Sequence, residues 1–376
     1  MKFLDLFAGI GGFRLGMESA GHECIGFCEI DKFARASYKA IHNTEGEIEL
    51  HDITEVTEEE IRNIGHVNVI CGGFPCQAFS IAGARRGFED TRGTLFFEIA
   101  RFASILKPKY LFLENVKGLL NHDRGNTFEV ILSALDELGY DVEWQVLNSK
   151  NFGVPQNRER VFIIGHLRGE RTGNVFPLSG DGAAITCEQP KINKVGNIRK
   201  KGKSQSGDVV SIDSLAPTLC STTTQKDPLK IAIPVLTPER LEKRQNGRRL
   251  KTNGEPMFTL TAQDRHGILI KEATSKGYAE AEIGDSVNLS HPNSKTRRGR
   301  VGKQIANTLL TGESQGVVEP NFRIRKLTPR ECWRLQGFPD WAFDKAQEVN
   351  SNSQLYKQAG NSVTVNVIAA IAKELK

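Results

Sequence analysis

One cysteine of the chain stands where a catalytic nucleophile is expected. An apolar run at 67–71 leads into Gly72-Gly73-Phe74-Pro75-Cys76-Gln77-Ala78-Phe79-Ser80, and the glycines and the proline restrict the shape of that loop. A cysteine on a rigid loop after a central strand can act as a nucleophile through its thiolate. The alternative, a small buried apolar side chain, is the commoner fate of a free cysteine, and we assign it to the other cysteines.

A carboxylate and two arginines accompany later apolar runs. Glu114 comes directly after Tyr110-Leu-Phe-Leu113, and Arg158 and Arg160 precede the run at 161–165. A carboxyl group whose pKa is raised can serve as a general acid. Arginines at i and i+2 of an extended backbone point the same way, which suits an anionic partner. Surface ion pairs are the alternative for both arginines.

The first apolar run ends in a glycine-rich turn, Asp5-Leu-Phe7-Ala8-Gly9-Ile-Gly11-Gly12-Phe13. Glycines let a loop approach a ligand closely at the start of a helix. Glu29, at the end of the second apolar run, is placed to bind ribose hydroxyls, and Asp52 would face an adenine amino group. Arg14 occupies the third glycine position of a dinucleotide fingerprint, which disfavours a nicotinamide-dependent oxidoreductase. An ordinary tight turn is the remaining alternative.

These groups can meet only if the strands that precede them belong to one sheet, and residues 1–170 have a pattern that predicts such a sheet. Short apolar strands alternate with amphipathic helices, which predicts an α/β fold with a doubly wound, mostly parallel sheet. Ligands bind such sheets at the carboxyl ends of the strands. The predicted strands are Lys2–Phe7, Glu23–Ile30, Val67–Cys71, Tyr110–Leu113, Val142–Leu147 and Val161–Gly165. The predicted helices are Gly12–Ala20, Lys32–Ile41, Leu95–Leu106 and Thr127–Leu138, and a helical pattern returns at 352–376.

Length and composition disfavour several classes of protein. The 376 residues, 39% hydrophobic and 25% charged, are an ordinary globular mixture of a size for about two domains. No run reaches the roughly 18 apolar residues of a membrane span, and Asp5 lies where a signal peptide would be apolar. The seven cysteines form no Cys-x-x-Cys pair. Disulfide frameworks and zinc ribbons are therefore disfavoured, no metal is expected, and a reducing cytoplasm is the expected location.

Positive charge is concentrated in the middle of the chain. Residues 181–330 hold 26 Lys and Arg against 15 Asp and Glu, a balance of +11, whereas the remainder holds 24 against 30. The run Lys295-Thr-Arg297-Arg298-Gly-Arg300-Val-Gly-Lys303 carries five cations in nine residues. This asymmetry indicates a polyanionic partner, with a solvated charged face as the alternative. Three Thr-Leu echoes, at 218–219, 259–260 and 308–309, are compatible with a repeated hairpin or with chance.

Six blocks of the sequence point to a family when they are taken together. They are Asp5–Gly12, Pro75-Cys76-Gln77, Glu114-Asn115-Val116, Gln156–Arg160, Leu327–Pro339 and Gly360-Asn361-Ser362-Val363. In their order and spacing they resemble the C5-cytosine-specific DNA methyltransferases. The blocks span nearly the whole chain except its basic middle, and no motif position departs from the family pattern in a way that puts catalysis in doubt.

The resemblance implies a Rossmann-like catalytic domain at 1–170, completed by 341–376, and a smaller β-rich target-recognition domain at 171–340. It implies Cys76 as the nucleophile, Glu114 as the residue that engages N3 of a flipped-out cytosine, and Arg158 and Arg160 as supporting arginines. Cofactor contacts are implied at Phe7, Ala8, Gly9, Gly11, Gly12, Glu29, Asp52, Ile53, Leu95, Asn361 and Val363. DNA contacts are expected at Gln77, Ser80, Arg92, Lys295, Arg297, Arg298, Arg300 and Lys303.

The implied activity is transfer of a methyl group from S-adenosyl-L-methionine to C5 of cytosine in double-stranded DNA, with S-adenosyl-L-homocysteine as product. The expected setting is a bacterial restriction-modification system or a protective phage methylase. A cognate restriction endonuclease would act on the same site without binding this chain, which is expected to be a cytoplasmic monomer. A tRNA cytosine-5 methyltransferase and a non-catalytic DNA-binding homologue stay open as alternatives. The basic middle disfavours the first, and the intact catalytic set disfavours the second.

Overall fold

A seven-stranded sheet forms the centre of the structure, a computed structural model that describes residues 1–75, 95–178, 194–197, 208–210, 232–236, 266–291, 294, 296–312, 315–320 and 324–376. Its strands are β1 (Lys2–Leu6), β2 (Glu23–Cys28), β3 (Ile48–Leu50), β4 (Val69–Gly73), β5 (Tyr110–Val116), β6 (Tyr140–Asn148) and β7 (Glu159–Leu167). The order across the sheet is β3-β2-β1-β4-β5-β7-β6. Neighbours from β3 to β5 are parallel, whereas β7 is antiparallel to both of its neighbours.

This topology confirms the predicted doubly wound, mostly parallel sheet. The chain runs outward from β1 to β2 and β3, and then returns to place β4 on the other side of β1. The strand order therefore reverses between β1 and β4, and the crevice at such a reversal is where open α/β sheets bind ligands. The glycine-rich turn follows β1, and Phe74 and Pro75 follow β4, so both lie at this edge.

Helices cover both faces of the sheet. They are α1 (Gly12–Ser19), α2 (Lys32–Ile41), α3 (Glu58–Asn63), α4 (Leu95–Leu106) and α5 (Asn126–Glu137). Local caps account for two of the starts. The carboxylate of Asp31 accepts hydrogen bonds from the first turn of α2, and Thr57 with Glu60 forms a capping box at α3. Such caps satisfy backbone N–H groups that have no partner inside the helix.

Two apolar cores lie on opposite faces of the sheet, as the period of two in a strand requires. In β5, Leu111 and Leu113 face the core beneath α3, α4 and α5. Tyr110 and Phe112 face the second core, which contains Met17 of α1.

Four helices follow the basic middle of the chain, whereas the sequence pattern predicted a single helical stretch at 352–376. They are α6 (Pro329–Leu335), α7 (Asp340–Val349), α8 (Asn352–Asn361) and α9 (Val365–Ala372). Val367 and Ile368 of α9 join the second core beside α1. Trp333 of α6 is fully buried, donates to the carbonyl of Leu355 at 3.0 Å, and packs in a third core with Ile10.

The described strands of the basic middle form small antiparallel sheets, which fits the predicted β-rich region. One pairs β8 (Lys194–Asn197) with β9 (Asp208–Val210), and another joins β10 (Ala232–Leu236), β11 (His266–Lys271) and β12 (Tyr278–Ala281). A third has the order β14 (Val301–Gly302), β13 (Ser286–Asn288), β15 (Gln315–Val318), β16 (Ile324–Lys326). Of the three Thr-Leu echoes, only 308–309 falls within the described residues. None of the helices described here has the length and apolarity to cross a bilayer.

Candidate active site

The glycine-rich turn after β1 is shaped by backbone angles that favour glycine. Gly9 and Gly11 have φ of +57° and +84°, a region that side chains rarely adopt. The ring of His42 packs directly against Gly11 and leaves no room for a Cβ there. An ideal Cβ on Gly12 would lie 2.8 Å from Cγ2 of Val363. The structure therefore brings together Gly12 and Val363, two predicted cofactor contacts that are far apart in sequence.

Glu29 is fixed beside this turn by two backbone donors. The N–H of Gly9 donates to its Oε2 at 2.8 Å, and the N–H of Asp31 donates to its Oε1 at 2.7 Å. Burial raises the pKa of Glu29, although these two hydrogen bonds oppose the rise. The neighbouring Ile30 is 66% exposed. Sequence reasoning missed this residue, although a large apolar side chain directly after a strand-end acid is a readable signal.

The other predicted cofactor contacts lie around the same edge of the sheet. Hydrogen bonds from the hydroxyl and the N–H of Thr54 to Asp52, at 2.7 and 2.9 Å, lower the pKa of that carboxyl. Ile53 is buried, and Leu95 opens α4. Asn361 is exposed at the end of α8. Phe7 has a φ of +55° and Ala8 donates its N–H to the carbonyl of Cys28, so both belong to the turn itself.

Glu114 lies two residues before the end of β5, opposite Gly73, the last residue of β4. Its side chain is 8% exposed, and Nε of Arg160 lies 2.9 Å from its Oε1. Burial raises the pKa of Glu114 by more than Arg160 and Arg158 lower it. A carboxyl group in this environment takes up a proton more readily than one in water. A general acid must hold such a proton before it can donate it.

The next residue of β5 holds the start of the cysteine loop. Nδ2 of Asn115 donates to the carbonyl of Phe74 at 2.8 Å. This bond fixes the backbone two residues before Cys76. Cys76 itself, with the predicted DNA contacts Gln77, Ser80 and Arg92, lies outside the described residues.

Arg158 and Arg160 divide their contacts between two partners. Arg160 binds Glu114, whereas Nη2 of Arg158 donates to the carbonyl of Ser362 at 2.7 Å and both of its Nη atoms lie 3.3 Å from the carbonyl of Gly360. Burial and the nearby Arg160 lower the pKa of Arg158 to about 9, which still leaves it charged at neutral pH. Arg158 thus ties the segment at 360–362 to the strand that carries Arg160.

The predicted DNA contacts in the basic run are not equivalent. Arg300 is 1% exposed, and its guanidinium donates to the carbonyls of Asn288, Ser290 and His291 at 2.6–3.0 Å. Its prediction as a DNA contact is therefore wrong, because a guanidinium enclosed by backbone carbonyls has no surface left for a phosphate. The reason is local: the chain folds back around this one cation.

The other cations of the run that the structure describes, Arg297, Arg298 and Lys303, keep access to solvent. Arg298 is exposed and donates from Nε to a backbone carbonyl at 2.9 Å, and Arg297 is half-buried. Lys303 extends into solvent while pairing with Asp285 at 2.8 Å. Lys295 lies outside the described residues. Across the described parts of the chain, no group of His, Cys, Asp and Glu side chains is arranged to hold a metal ion.

Comparisons with known proteins agree with this architecture. The family model described as C-5 cytosine-specific DNA methylase matches residues 1–376. The chain is 37% identical over 378 aligned positions to the type II methyltransferase M.HpaII of Haemophilus parainfluenzae, which covers 99% of this chain and 88% of that protein. It is 33% identical over 477 aligned positions to the orphan methyltransferase M.SPRI of Bacillus phage SPR, covering 100% of this chain and 97% of the relative.

A solved structure shows the same fold at much lower sequence identity. The Dnmt2 methyltransferase of S. pombe superposes with a TM-score of 0.55 at 17% identity, covering 98% of this chain and 96% of that one. The chain therefore belongs to the C-5 cytosine-specific DNA methylase family, and its activity class is that of a DNA cytosine-5 methyltransferase.

Proposed function

We propose that the chain methylates C5 of a flipped-out cytosine in a short duplex DNA sequence, with Cys76 as a covalent nucleophile and S-adenosyl-L-methionine as methyl donor. The observation that carries the proposal is the buried Glu114. It lies at a strand end, has a raised pKa and an arginine partner, and sits beside the strand that leads to Cys76.

The chemistry requires a nucleophile because C5 of cytosine is itself a weak one. The thiolate of Cys76 would add to C6, breaking the conjugation of the ring and making C5 electron-rich. Charge then develops on N3, where neutral Glu114 donates a proton. C5 would then take the methyl group and lose its own proton to a base as the Cys76–C6 bond breaks. This step restores the aromatic ring and the thiolate, and N3 returns its proton to Glu114.

Arg160 and Arg158 would support this chemistry in different ways. Arg160 holds the carboxyl of Glu114 through Nε and adds positive charge where the ring becomes anionic. Arg158 acts on the backbone at 360 and 362, so it shapes the segment that carries Asn361.

The residues at the edge of the sheet fit S-adenosyl-L-methionine. Glu29 is held in place and keeps lone pairs for ribose hydroxyls beyond its two backbone bonds. Ile30 offers an exposed apolar surface for a purine ring, and Gly9 has open space around its Cα. When bound, the cofactor supplies an electrophilic methyl group on a sulfonium. Phe7, Gly12, Asp52 and the segment at 361–363 would complete the site.

Duplex DNA is the proposed substrate, and C6 of a stacked cytosine is out of reach until the base is flipped. Flipping costs a few kcal/mol, which contacts from the target-recognition domain proposed at 171–340 would offset. Arg297, Arg298 and Lys303 stay as candidates for phosphate contacts. The relatives named above suggest a restriction-modification or phage setting. We propose, independently of them, that the acting form is a monomer.

Covalent trapping tests the proposal directly. Duplex oligonucleotides that contain 5-fluorocytosine in varied contexts are incubated with the chain and cofactor, and a denaturing gel is used to detect a protein–DNA adduct. Fluorine at C5 cannot leave as a proton would, so the Cys76–C6 bond should persist. Cys76→Ala should form no adduct and should leave plasmid cytosines unmethylated in bisulfite sequencing. Complete absence of adducts with the unaltered chain would refute the covalent mechanism, and competition with tRNA would test the RNA alternative.

A further inference from the structure

Gln156 is a buried glutamine whose side-chain amide is bound at both ends. It is 0% exposed. Its Nε2 donates to the carbonyl of Leu335 at 2.8 Å, and its Oε1 accepts from the N–H of Leu309 at 3.3 Å. Leu335 ends α6, and Leu309 belongs to a segment just before β15 of the basic middle. One side chain therefore joins the catalytic sheet to two parts of the C-terminal half.

The main chain around Gln156 binds the same segment. The N–H of Asn157 donates to the carbonyl of Ala306, and the N–H of Ala306 donates to the carbonyl of Pro155, both at 2.8 Å. The hydroxyl of Thr308 donates to the carbonyl of Asn157 at 2.7 Å. We call residues 306–311 the docking segment. It pairs with the residues just before β7 through a parallel β-bridge between Gln156 and Ala306.

The docking segment continues from this contact to the segment that Arg158 holds. An ideal Cβ on Gly360 would lie 2.5 Å from the carbonyl atoms of Leu310 and 2.7 Å from the nitrogen of Thr311. The backbone of the docking segment thus lies directly against Gly360, whose carbonyl receives Arg158.

Three alternate residues of one extended stretch make these connections. Gln156, Arg158 and Arg160 stand at i, i+2 and i+4, positions whose side chains share one side of an extended backbone. The first binds the docking segment, the second binds the backbone at 360 and 362, and the third binds Glu114. One five-residue stretch therefore contacts the docking segment, the backbone at 360–362 and the proposed proton donor.

We propose that Gln156 is a positioning residue that keeps the DNA-reading half of the chain in register with the catalytic groups. The inference rests on the proposed function, because it assigns DNA reading to the basic half. Without the amide, the N–H of Leu309 and the carbonyl of Leu335 lose their partners inside the protein, and the docking segment gains other positions. Turnover at the correct sequence and discrimination against other sequences then fall together, whereas cofactor affinity does not.

The test compares two glutamines with the same bonding pattern. Gln156→Met keeps the size of the side chain and removes both hydrogen bonds. Gln145→Met is the matched control, because Nε2 of Gln145 donates to the carbonyl of Leu178 at 3.0 Å and its Oε1 accepts from the N–H of Leu178 at 2.8 Å. Gln156→Glu is a second variant in case Gln156→Met does not fold, since it retains the shape and one acceptor.

Each variant is expressed with a plasmid, and bisulfite sequencing gives both the methylation level and the sequence around each methylated cytosine. Binding of S-adenosyl-L-methionine to the purified chains is measured by calorimetry. For Gln156→Met we expect methylation of the wild-type site to slow by about tenfold or more, because both hydrogen bonds are lost. We also expect a similar loss of preference for that site and cofactor affinity within about twofold. Gln145→Met should match the wild type in all three.

Several results would overturn the inference. They are unchanged rate and preference in Gln156→Met, an equal loss in Gln145→Met, or a loss of cofactor binding in parallel with rate. A wild-type chain that leaves plasmid cytosines unmethylated would instead refute the proposed function, and this inference with it.

Discussion

Replacing Gly12 by alanine tests whether the glycine-rich turn and the segment at 360–363 form one cofactor site. An alanine Cβ would lie 2.8 Å from Cγ2 of Val363 and 2.9 Å from Oγ of Ser362, about 1 Å closer than carbon atoms normally approach. Overpacking of this kind costs about 1–3 kcal/mol. Alanine also favours a helix over glycine by about 1 kcal/mol, and Gly12 is the first residue of α1. The net cost is therefore about 0–2 kcal/mol, the difference between the packing cost and the gain in helix propensity.

Two measurements report this cost. Denaturant unfolding should show a loss of up to about 2 kcal/mol. If the turn instead moves away from Val363, calorimetry should show cofactor affinity lowered by up to about 30-fold. Val363→Ala removes the nearest atom and should recover part of either loss. Gly173→Ala is the matched control, because its Cβ would meet nothing within 4 Å. A Gly12→Ala chain that is more stable than the wild type and binds the cofactor equally well would refute the packing argument.

The remaining predictions concern the carboxyl, the recognition domain and the C-terminal core. Glu114→Gln should lower kcat by about 10²- to 10³-fold. Because burial raises the pKa of Glu114 above 4.5, the folded chain holds that proton more tightly than the unfolded chain. The protonation of Glu114 therefore contributes fully to the free energy of unfolding at pH values below its ordinary pKa. This contribution is lost as the pH rises through the pKa that Glu114 has in the folded chain. The melting temperature of Glu114→Gln relative to wild type should therefore increase from pH 4 to pH 7, and a constant difference would contradict this. DNA affinity should weaken by about tenfold or more between roughly 50 and 200 mM salt, and a flat response in a filter-binding assay would argue against the basic run. Trp333→Ala should cost about 3–5 kcal/mol in denaturant unfolding, since the indole is fully buried; a loss below about 1 kcal/mol would show that this core does not depend on it.

Local signals explain which elements the sequence reveals. The bounds of α2 and α4, Lys32–Ile41 and Leu95–Leu106, agree with the prediction because a capping Asp31 and a following Pro108 mark one end of each. β3 was missed because its three residues are too few to show a period.

Three helices, α3, α6 and α7, were not predicted. Pro329 is the first residue of α6, a position that tolerates proline, and Pro339 directly precedes α7. Thr328 and Glu331 form a capping box at α6, which is a signal present in the sequence.

The geometry of the candidate site could likewise be predicted only in part. The prediction that Glu114 lies beside the end of the preceding strand follows from strand ends meeting at one edge of a parallel sheet, and Glu114 pairs with Gly73 of β4. The different partners of Arg158 and Arg160 could not be predicted from the sequence, because one partner of Arg158 lies about 200 residues away in the chain. Arg300 was misassigned for a similar reason, since only the folded chain shows which cation of a basic run is enclosed. The catalytic and binding roles of the predicted residues stay predictions.

The contact between the beginning and the end of the chain has a consequence for its synthesis. Nε2 of His22 lies 2.9 Å from the carbonyl of Ala372, 350 positions later, and Gly12 packs against Val363. A nascent chain on the ribosome has its first strand and glycine-rich turn early, but it lacks α9 until translation has passed residue 372. Contacts of such long sequence separation form late and slowly. A partly translated enzyme should therefore be unable to modify the genome that encodes it.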